Sequence, residues 1–457
     1  MTTQKEYETL CDLIWEHSRL YYIEHRPLIS DIEFDHLLKK LEAIEKEHPE
    51  WIHPGSPTQR VMEEVSERFP TSVHATPMLS LSNSYTFDEV HDFLKRVEKW
   101  TGKTNNRFSL ELKMDGIAVS VRYEKGILVR AVTRGDGKKG ETITNNIRTI
   151  KNLPLKLKSP ETVELRGEVF MTHATFDKLN SDNDLFSNPR NAAGGSLKLL
   201  NSKEVAKRAL EIVFYGIADD TLGSISTHEG ALAHIKELGL PIIALHQIAR
   251  SFEDIETFIQ EIEKKRRTLP FDIDGIVIKL DHLGDQKKLG STGKSPRYAI
   301  AYKFQAEKEE TIIKDITVQV GRTGILTPVA ELEPVFLAGS TIARATLHNA
   351  DEVMRKDIRI GDRVLIEKGG DVIPKIIESK PEYRHSTSTP WHMTETCPCC
   401  GSEIEKVPGE VAFRCPNISG CPAQKLRRLL HFVSKGAMNI ENMGEKVAEQ
   451  LMQKNLV

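Results

Sequence analysis

Apolar positions near the start of the chain recur at helical intervals. Leu10, Ile14, Leu20 and Tyr21 form one stripe, and Leu37, Leu38, Leu41 and Ile44 form another. Ser30 followed by Glu33 has the form of a capping box, which predicts the start of a second helix. His53-Pro-Gly-Ser-Pro-Thr58 then breaks the period. The expectation is a helical domain over residues 1–68. From Thr76 to Gln305 short apolar runs alternate with longer amphipathic ones. Residues 108–113 and 117–122 read as paired strands, and 127–132, 163–170, 212–215 and 275–280 as further strands. Residues 232–238 and 255–267 read as helices, giving an α+β domain over 69–310 with a largely antiparallel sheet.

The next stretch is denser in short strands separated by Gly and Pro: 318–320, 329–332, 363–367 and 372–376. About five short strands in this length suit a small β-barrel, with an OB-fold leading, over 311–380. Residues 381–390 read as a linker, 391–424 as a cysteine module, and 425–457 as short helices around Met443-Gly444-Glu445. The fold class is therefore multidomain α+β.

Composition adds limits. The chain has 457 residues, room for several domains, with 39% hydrophobic and 28% charged residues, an ordinary globular mixture. The N-terminal MTTQKEYETL lacks a basic region leading into an apolar one, and runs such as 276–278 and 364–366 are too short to span a bilayer. A cytoplasmic protein without membrane contact is expected. The net charge of -3 does not announce a polyanionic partner, but two stretches carry positive charge without acid. One contains Arg190, Lys198 and Lys203; the other contains Lys425, Arg427, Arg428 and Lys435. Either alone reads as a solvated face.

Six cysteines are present. Cys11 stands apart, whereas Cys397-x2-Cys400-x14-Cys415-x5-Cys421 has the spacing of a tetrahedral zinc site. Cys399 lies inside the first pair and could replace Cys400, but the two-residue spacing favours Cys397 with Cys400. Four thiolates close the coordination shell, so such a zinc is structural.

Lys113-Met-Asp115-Gly116 on its own is a strand ending in an Asp-Gly turn. It is followed by Arg134-Gly-Asp136-Gly, Glu164-Leu-Arg166-Gly-Glu168, Asp272-Ile-Asp274 running on to Lys279, and Ala301-Tyr-Lys303-Phe. Pro77-Met-Leu-Ser-Leu81, Asn188-Pro-Arg-Asn-Ala192, Gln319-Val-Gly-Arg-Thr-Gly324, Ala345-Thr-Leu-His-Asn349 and Gly370-Asp-Val-Ile-Pro374 accompany them. In this order the blocks resemble the NAD-dependent DNA ligases of bacteria, within the covalent nucleotidyltransferase superfamily, over nearly the whole chain.

The resemblance implies that Lys113 displaces nicotinamide mononucleotide from NAD+ and becomes adenylylated. The AMP then moves to a 5′-phosphate at a nick in double-stranded DNA, and the 3′-hydroxyl displaces it. A lysine attacking phosphorus must be unprotonated, and neighbouring cations favour the neutral amine. Lys279, Lys303 and Arg134 are implied around that phosphate, where they would also neutralise charge in the transition state. Glu111 and the Ser80-Leu81 backbone are implied near the adenosine, Glu168 on the ribose, and Asp115 positioning nucleophile and nucleotide. Asp274 stands where a carboxylate holds Mg²⁺ (or Mn²⁺). A monomer is expected, with zinc on Cys397, Cys400, Cys415 and Cys421.

The sequence departs from the family pattern in places. Of the residues that grip the nicotinamide half of NAD+, Tyr21, Asp31 and Asp35 match. Tyr22 stands for the usual His and Phe34 for the usual Tyr. Phe offers no hydroxyl, a loss that commonly costs about 1–3 kcal/mol. Lys198 replaces an Arg and Gln305 a Pro. The family continues through several helix-hairpin-helix units and a BRCT domain, whereas this chain ends inside the first such unit. Adenylylation is thus expected to be intact and nick sealing to be the open step. The alternative is a catalytically weak nick-binding or regulatory paralogue. An ATP-dependent ligase or RNA-capping enzyme fits less well, given the helical start and the four cysteines.

Overall fold

In the computed structural model the described residues are 3–24, 26, 28–60, 69–181, 186–218, 225–304, 308–337, 340–369, 373–385, 388–406, 412–434, 437–438, 440, 442–454 and 456. The side chain of Asp31 lies outside them, as do Gln305, Lys435 and the first three residues of the 370–374 block. The chain divides into two compact units, Met1–Gln305 and Ala306–Val457.

The first unit begins with two helices, Gln4–Tyr22 and Asp31–Glu47. Both start with capping boxes, Thr3 with Glu6 and the expected Ser30 with Glu33, so in each the cap amide and the third helical amide are satisfied. Their small core comprises Tyr7, Leu10, Cys11, Ile14, Leu41 and Ile44. Trp15 leaves it to join the core of the neighbouring sheet, with its indole N–H donating to the Gly55 carbonyl at 2.9 Å. The Arg60 guanidinium lies 4.7 Å from the Trp15 ring and donates to the Ile150 carbonyl at 2.8 Å. Asp12 pairs with Lys156 at 2.7 Å. The helical pair is thereby fastened to the α+β part by one aromatic plug and two cations.

Among the described residues the α+β part holds eleven strands: β1 (Thr71–Val73), β2 (Ser82–Ser84), β3 (Phe108–Met114), β4 (Ile117–Glu124), β5 (Ile127–Thr133), β6 (Lys139–Glu141), β7 (Val163–Phe170), β8 (Glu211–Ile217), β9 (His246–Ala249), β10 (Ile273–Leu280) and β11 (Ala299–Lys303). They form a five-stranded sheet ordered β2-β11-β10-β3-β9, a four-stranded sheet ordered β5-β4-β7-β8, and the small pair β1-β6. The pairings are antiparallel except β2 with β11. The helices Phe87–Thr101 and Phe252–Lys265 supply Val90, Phe93, Val97, Ile255, Phe258, Ile259 and Ile262 to the core of the larger sheet.

One expectation is corrected here: 108–113 and 117–122 do not pair. β3 is bonded to β10 and β9, and β4 to β5 and β7. Asp115-Gly116 carries the chain from one sheet to the other. A side chain at Gly116 would meet the Val169 carbonyl of β7 at 2.4 Å, so only glycine allows this approach. The two-residue link looks like a hairpin turn in sequence, but the close backbone passage at Gly116 sends β4 against β7.

In the second unit β12 (Lys308–Val320), β13 (Ile325–Leu337), β14 (Ser340–Thr346), β15 (Arg363–Gly369) and β16 (Ile373–Ser379) close into a five-stranded barrel, with β12 pairing both β13 and β15. This is the expected OB-type barrel, with longer first strands than the sequence suggested. The helix Ala350–Arg355 between β14 and β15 was not anticipated. The expected linker is partly structured: Arg384 bonds Asp362 at 2.7 Å and Asp357 at 2.6 Å, tying 381–384 to the barrel. The two short strands β17 (Glu405–Lys406) and β18 (Phe413–Arg414) join the barrel edge through β13, and the helices Pro422–Val433 and Glu445–Gln453 follow.

Candidate active site

The ends of β3, β10 and β11 bring the singled-out lysines and acids together. In the register Gly275 lies opposite both Lys113 and Lys303, which carries the central strand between the two lysines. Asp274, on the bulge beside Gly275, accepts from Lys113 Nζ at 2.8 Å and lies 3.2 Å from Lys303 Nζ through the same oxygen, Oδ2. Its other oxygen is buried without a hydrogen-bond partner. The lysine nucleophile candidate therefore rests against a carboxylate that it shares with one of the expected cations, Lys303.

Asp115, one residue past the strand, receives Arg190 from the helix Pro189–Leu197, an ion pair at hydrogen-bond contact. Burial raises the Asp115 carboxyl, and Arg190 works against that. Glu168 reaches the same region from β7, its Cγ close to where a Gly116 side chain would stand. Burial pushes its carboxyl up to about 8, with Lys113 and Arg190 opposing. Arg134 is exposed just beyond β5, in the turn whose Gly137 carbonyl accepts from the Met78 N–H. That bond holds the segment leading to Ser80 and Leu81, which then enters β2 beside β11.

Lys279 stands apart from this group. It donates to Glu111 Oε2 at 3.0 Å and to the Tyr215 carbonyl at 3.2 Å, and lies 5.3 Å from the Tyr215 ring centre. Glu111 is buried on β3, with Oε1 taking Ser109 Oγ at 3.1 Å and His228 Nε2 at 2.8 Å. Burial alone would raise its carboxyl, but Lys279 and His228 outweigh it and hold Glu111 at about 2. The expected phosphate set thus separates into Lys113 with Lys303 at one end and Lys279 with Glu111 at the other.

Sequence reasoning did not single out His228, Tyr215, Arg166 or the Arg190–Asp115 pair for this site. Arg166 is buried and donates to the Thr76 carbonyl, below the segment that carries Ser80. Arg190 was visible only as part of a basic stretch. His228 follows Thr227, which caps its helix, but nothing in sequence brings it to Glu111.

In the helical pair the Tyr21 and Tyr22 rings are in contact at 4.7 Å, and Lys151 Nζ lies 5.6 Å from the Tyr22 ring. Asp35 is exposed, while Phe34 packs on the helical core, so its ring has a packing partner without a hydroxyl. Part of the basic charge is committed within the protein: Lys198 lies 3.6 Å from Glu141 and Arg427 3.5 Å from Glu445.

The sulphurs of Cys397, Cys400, Cys415 and Cys421 lie within 4.8 Å of one another. Cys397 and Cys421 are 4.0 Å apart, Cys400 and Cys415 3.5 Å. Tetrahedral zinc with bonds of about 2.3 Å needs sulphurs roughly 3.8 Å apart, so the group fits that ion, and it is far too open for disulfides. Cys399 is exposed and lies outside this set.

Comparison with known proteins agrees with this arrangement along the chain. Residues 1–62 match the DNA ligase-like, N-terminal NAD+-binding domain; 66–307 the NAD-dependent DNA ligase adenylation domain; 310–388 the OB-fold domain; and 396–423 the C4 zinc finger domain of the same ligases. A protein named DNA ligase from Protochlamydia amoebophila is 55% identical over all of this chain and 70% of its own length. Those of Chlamydia felis and Listeria monocytogenes are each 46% identical, across 70% and 69% of their lengths. These matches give no support to the regulatory-paralogue alternative. The chain is a ligase that belongs to the NAD-dependent DNA ligase family, with an NAD+-binding domain and a four-cysteine zinc finger.

Proposed function

We propose that Lys113 takes the adenylyl group of NAD+ and delivers it to the 5′-phosphate of a nick in double-stranded DNA, where the 3′-hydroxyl displaces AMP. The observation that carries this is the Lys113–Asp274–Lys303 cluster at the strand ends. Asp274 accepts a proton from Lys113. The amine lone pair then attacks the adenylyl phosphorus, and the anhydride bond to nicotinamide mononucleotide breaks, leaving that fragment with its phosphate. The second amine proton goes to the departing phosphate, and a phosphoramidate remains on Lys113. Lys303, with Arg134, neutralises charge on the phosphoryl oxygens. Arg190 holds Asp115 beside the nucleophile.

Lys279 and Glu111 read the base. Adenine offers an acceptor, N1, beside a donor, the 6-amino group, and the pair offers the matching donor and acceptor. Tyr215 supplies an aromatic surface and Glu168 a partner for ribose hydroxyls. Tyr21, Tyr22, Asp31, Phe34 and Asp35 take the nicotinamide half. The partnerless Oδ1 of Asp274 suits a divalent cation such as Mg²⁺, which would supply further charge neutralisation. Zinc on Cys397, Cys400, Cys415 and Cys421 has no open position and serves the fold.

The proposed domain division is 1–68, 69–310, 311–380, 391–424 and 425–457. The basic stretches around Arg190 and Lys425 contact phosphate backbone, which requires no base readout. We take the protein to be a cytoplasmic monomer; no helix among the described residues is long and apolar enough to cross a membrane.

The test is incubation with NAD+ labelled in its adenylyl group and Mg²⁺, followed by denaturation. The native chain retains label and Lys113→Ala does not. Retention by that variant, or labelling from ATP only, overturns the assignment. A nicked-duplex assay then reads sealing.

A further inference from the structure

We infer that His228 is a positioning residue that fixes Glu111 as a hydrogen-bond acceptor and thereby sets the preference of the site for a 6-amino over a 6-oxo purine. This rests on the reading of Lys279 and Glu111 as the base-recognising pair.

The geometry assigns the proton. Glu111 is held ionised, so both its oxygens only accept, and the 2.8 Å contact requires an N–H on His228 Nε2. Lys279 Nζ, 3.3 Å from that nitrogen, has no acceptor lone pair to offer and makes no hydrogen bond to it. Oε1 of Glu111 is then taken by His228 and Ser109, and Oε2 by Lys279. A carboxylate has about four lone-pair sites, which leaves one on Oε2 for a bound base.

His228 is itself delivered with care. It is the first residue of the helix His228–Glu237, capped by Thr227, whose side chain accepts from the Gly230 N–H. Asp281 immediately follows β10. Its carbonyl accepts from the His228 N–H at 2.7 Å, and its Oδ1 from the Glu229 N–H at 2.9 Å. Arg107 lies 3.4 Å from Asp281 and 2.6 Å from Glu229. The strand that carries Lys279 therefore also registers the helix that carries His228. Lys279 from β10 and His228 from the helix registered on it both arrive on Glu111, and the imidazole is buried there.

Removing the imidazole leaves Oε1 with only Ser109 and lets the carboxylate turn. A 6-oxo purine presents an acceptor and an N1–H donor, the reverse of adenine. A carboxylate free to turn distinguishes the two patterns less well.

The experiment compares the rate of lysyl-adenylate formation from NAD+ with lysyl-inosinylate formation from nicotinamide hypoxanthine dinucleotide, as a ratio of kcat/KM values. In His228→Leu the ratio falls about tenfold, as expected for one lost charged hydrogen bond. His228→Gln places an amide N–H at the reach of Nε2 and keeps the ratio within about twofold. His228→Asn is too short and falls with Leu. If the leucine variant does not fold, the Gln and Asn pair decides. An unchanged ratio in Asn, or in a folded Leu variant, overturns the inference even if both rates drop, because a merely structural role slows both substrates alike. A native chain that takes no label from NAD+ overturns the proposed function instead.

Discussion

Asp274 and Glu111 are two buried carboxylates on neighbouring strands, each within reach of cations, yet they are built differently. Asp274 meets Lys113 and Lys303 through a single oxygen and leaves the other without a partner. Glu111 has both oxygens engaged by Ser109, His228 and Lys279. An under-satisfied buried carboxylate costs stability and is tolerated where charge must change; a fully satisfied one is rigid and suits recognition. The difference teaches that the lysines implied for one phosphate divide between two unlike carboxylates, a division that the proposed function assigns to chemistry and base reading.

The contrast is broken most severely at Asp274. Asp274→Asn should lower the rate of lysyl-adenylate formation about a hundredfold with little change in KM for NAD+, by removing a charge next to the reacting amine. A rise in KM with an unchanged rate would reassign Asp274 to binding. Glu111→Gln should do the opposite. It keeps the shape but swaps an acceptor for a donor, raising KM about tenfold while the saturated rate changes little. Steady-state labelling over a range of NAD+ concentrations reads both, and identical profiles would erase the distinction.

A third acid sharpens the comparison through stability. Glu168 is raised from an ordinary 4.5 to about 8 by burial. Between those values the unfolded chain has lost the proton and the folded chain retains it. Its contribution is therefore full below pH 4.5, falls as pH rises to about 8, and is constant above. Glu168→Gln removes that loss, so its melting temperature should exceed the native one by about 2–4 °C at pH 8.5 and match it near pH 4.5. Adenylylation should weaken in the same variant. An equal difference at both pH values would mean that Glu168 is not held protonated.

Much of this was legible in the sequence, for identifiable reasons. Capping at Ser30 and the cysteine spacing are local, and both appear as read. Of the charged strand ends read from the sequence, Lys113, Asp274 and Lys303 come together because β3, β10 and β11 are neighbours in one sheet. What sequence could not reveal is which partner each charge meets. Lys279 sits on Glu111 because the β3–β10 register sets Ile278 against Leu110 and Val277 against Glu111, and register is a long-range property. His228 depends on a hydrogen bond from a helix start to Asp281, fifty-three residues further along (281 − 228). The separation of β3 and β4 into two sheets was hidden because a two-residue Asp-Gly link has the length of a hairpin turn.

That link has a mechanical meaning. Two residues extend at most about 7 Å, so the two sheets are joined at Asp115-Gly116 like covers at a spine. Any splaying of the two sheets would sweep Glu111, further along β3, through a longer arc than Lys113, which adjoins the link. The proposed nucleophile thus occupies the point of shortest lever arm.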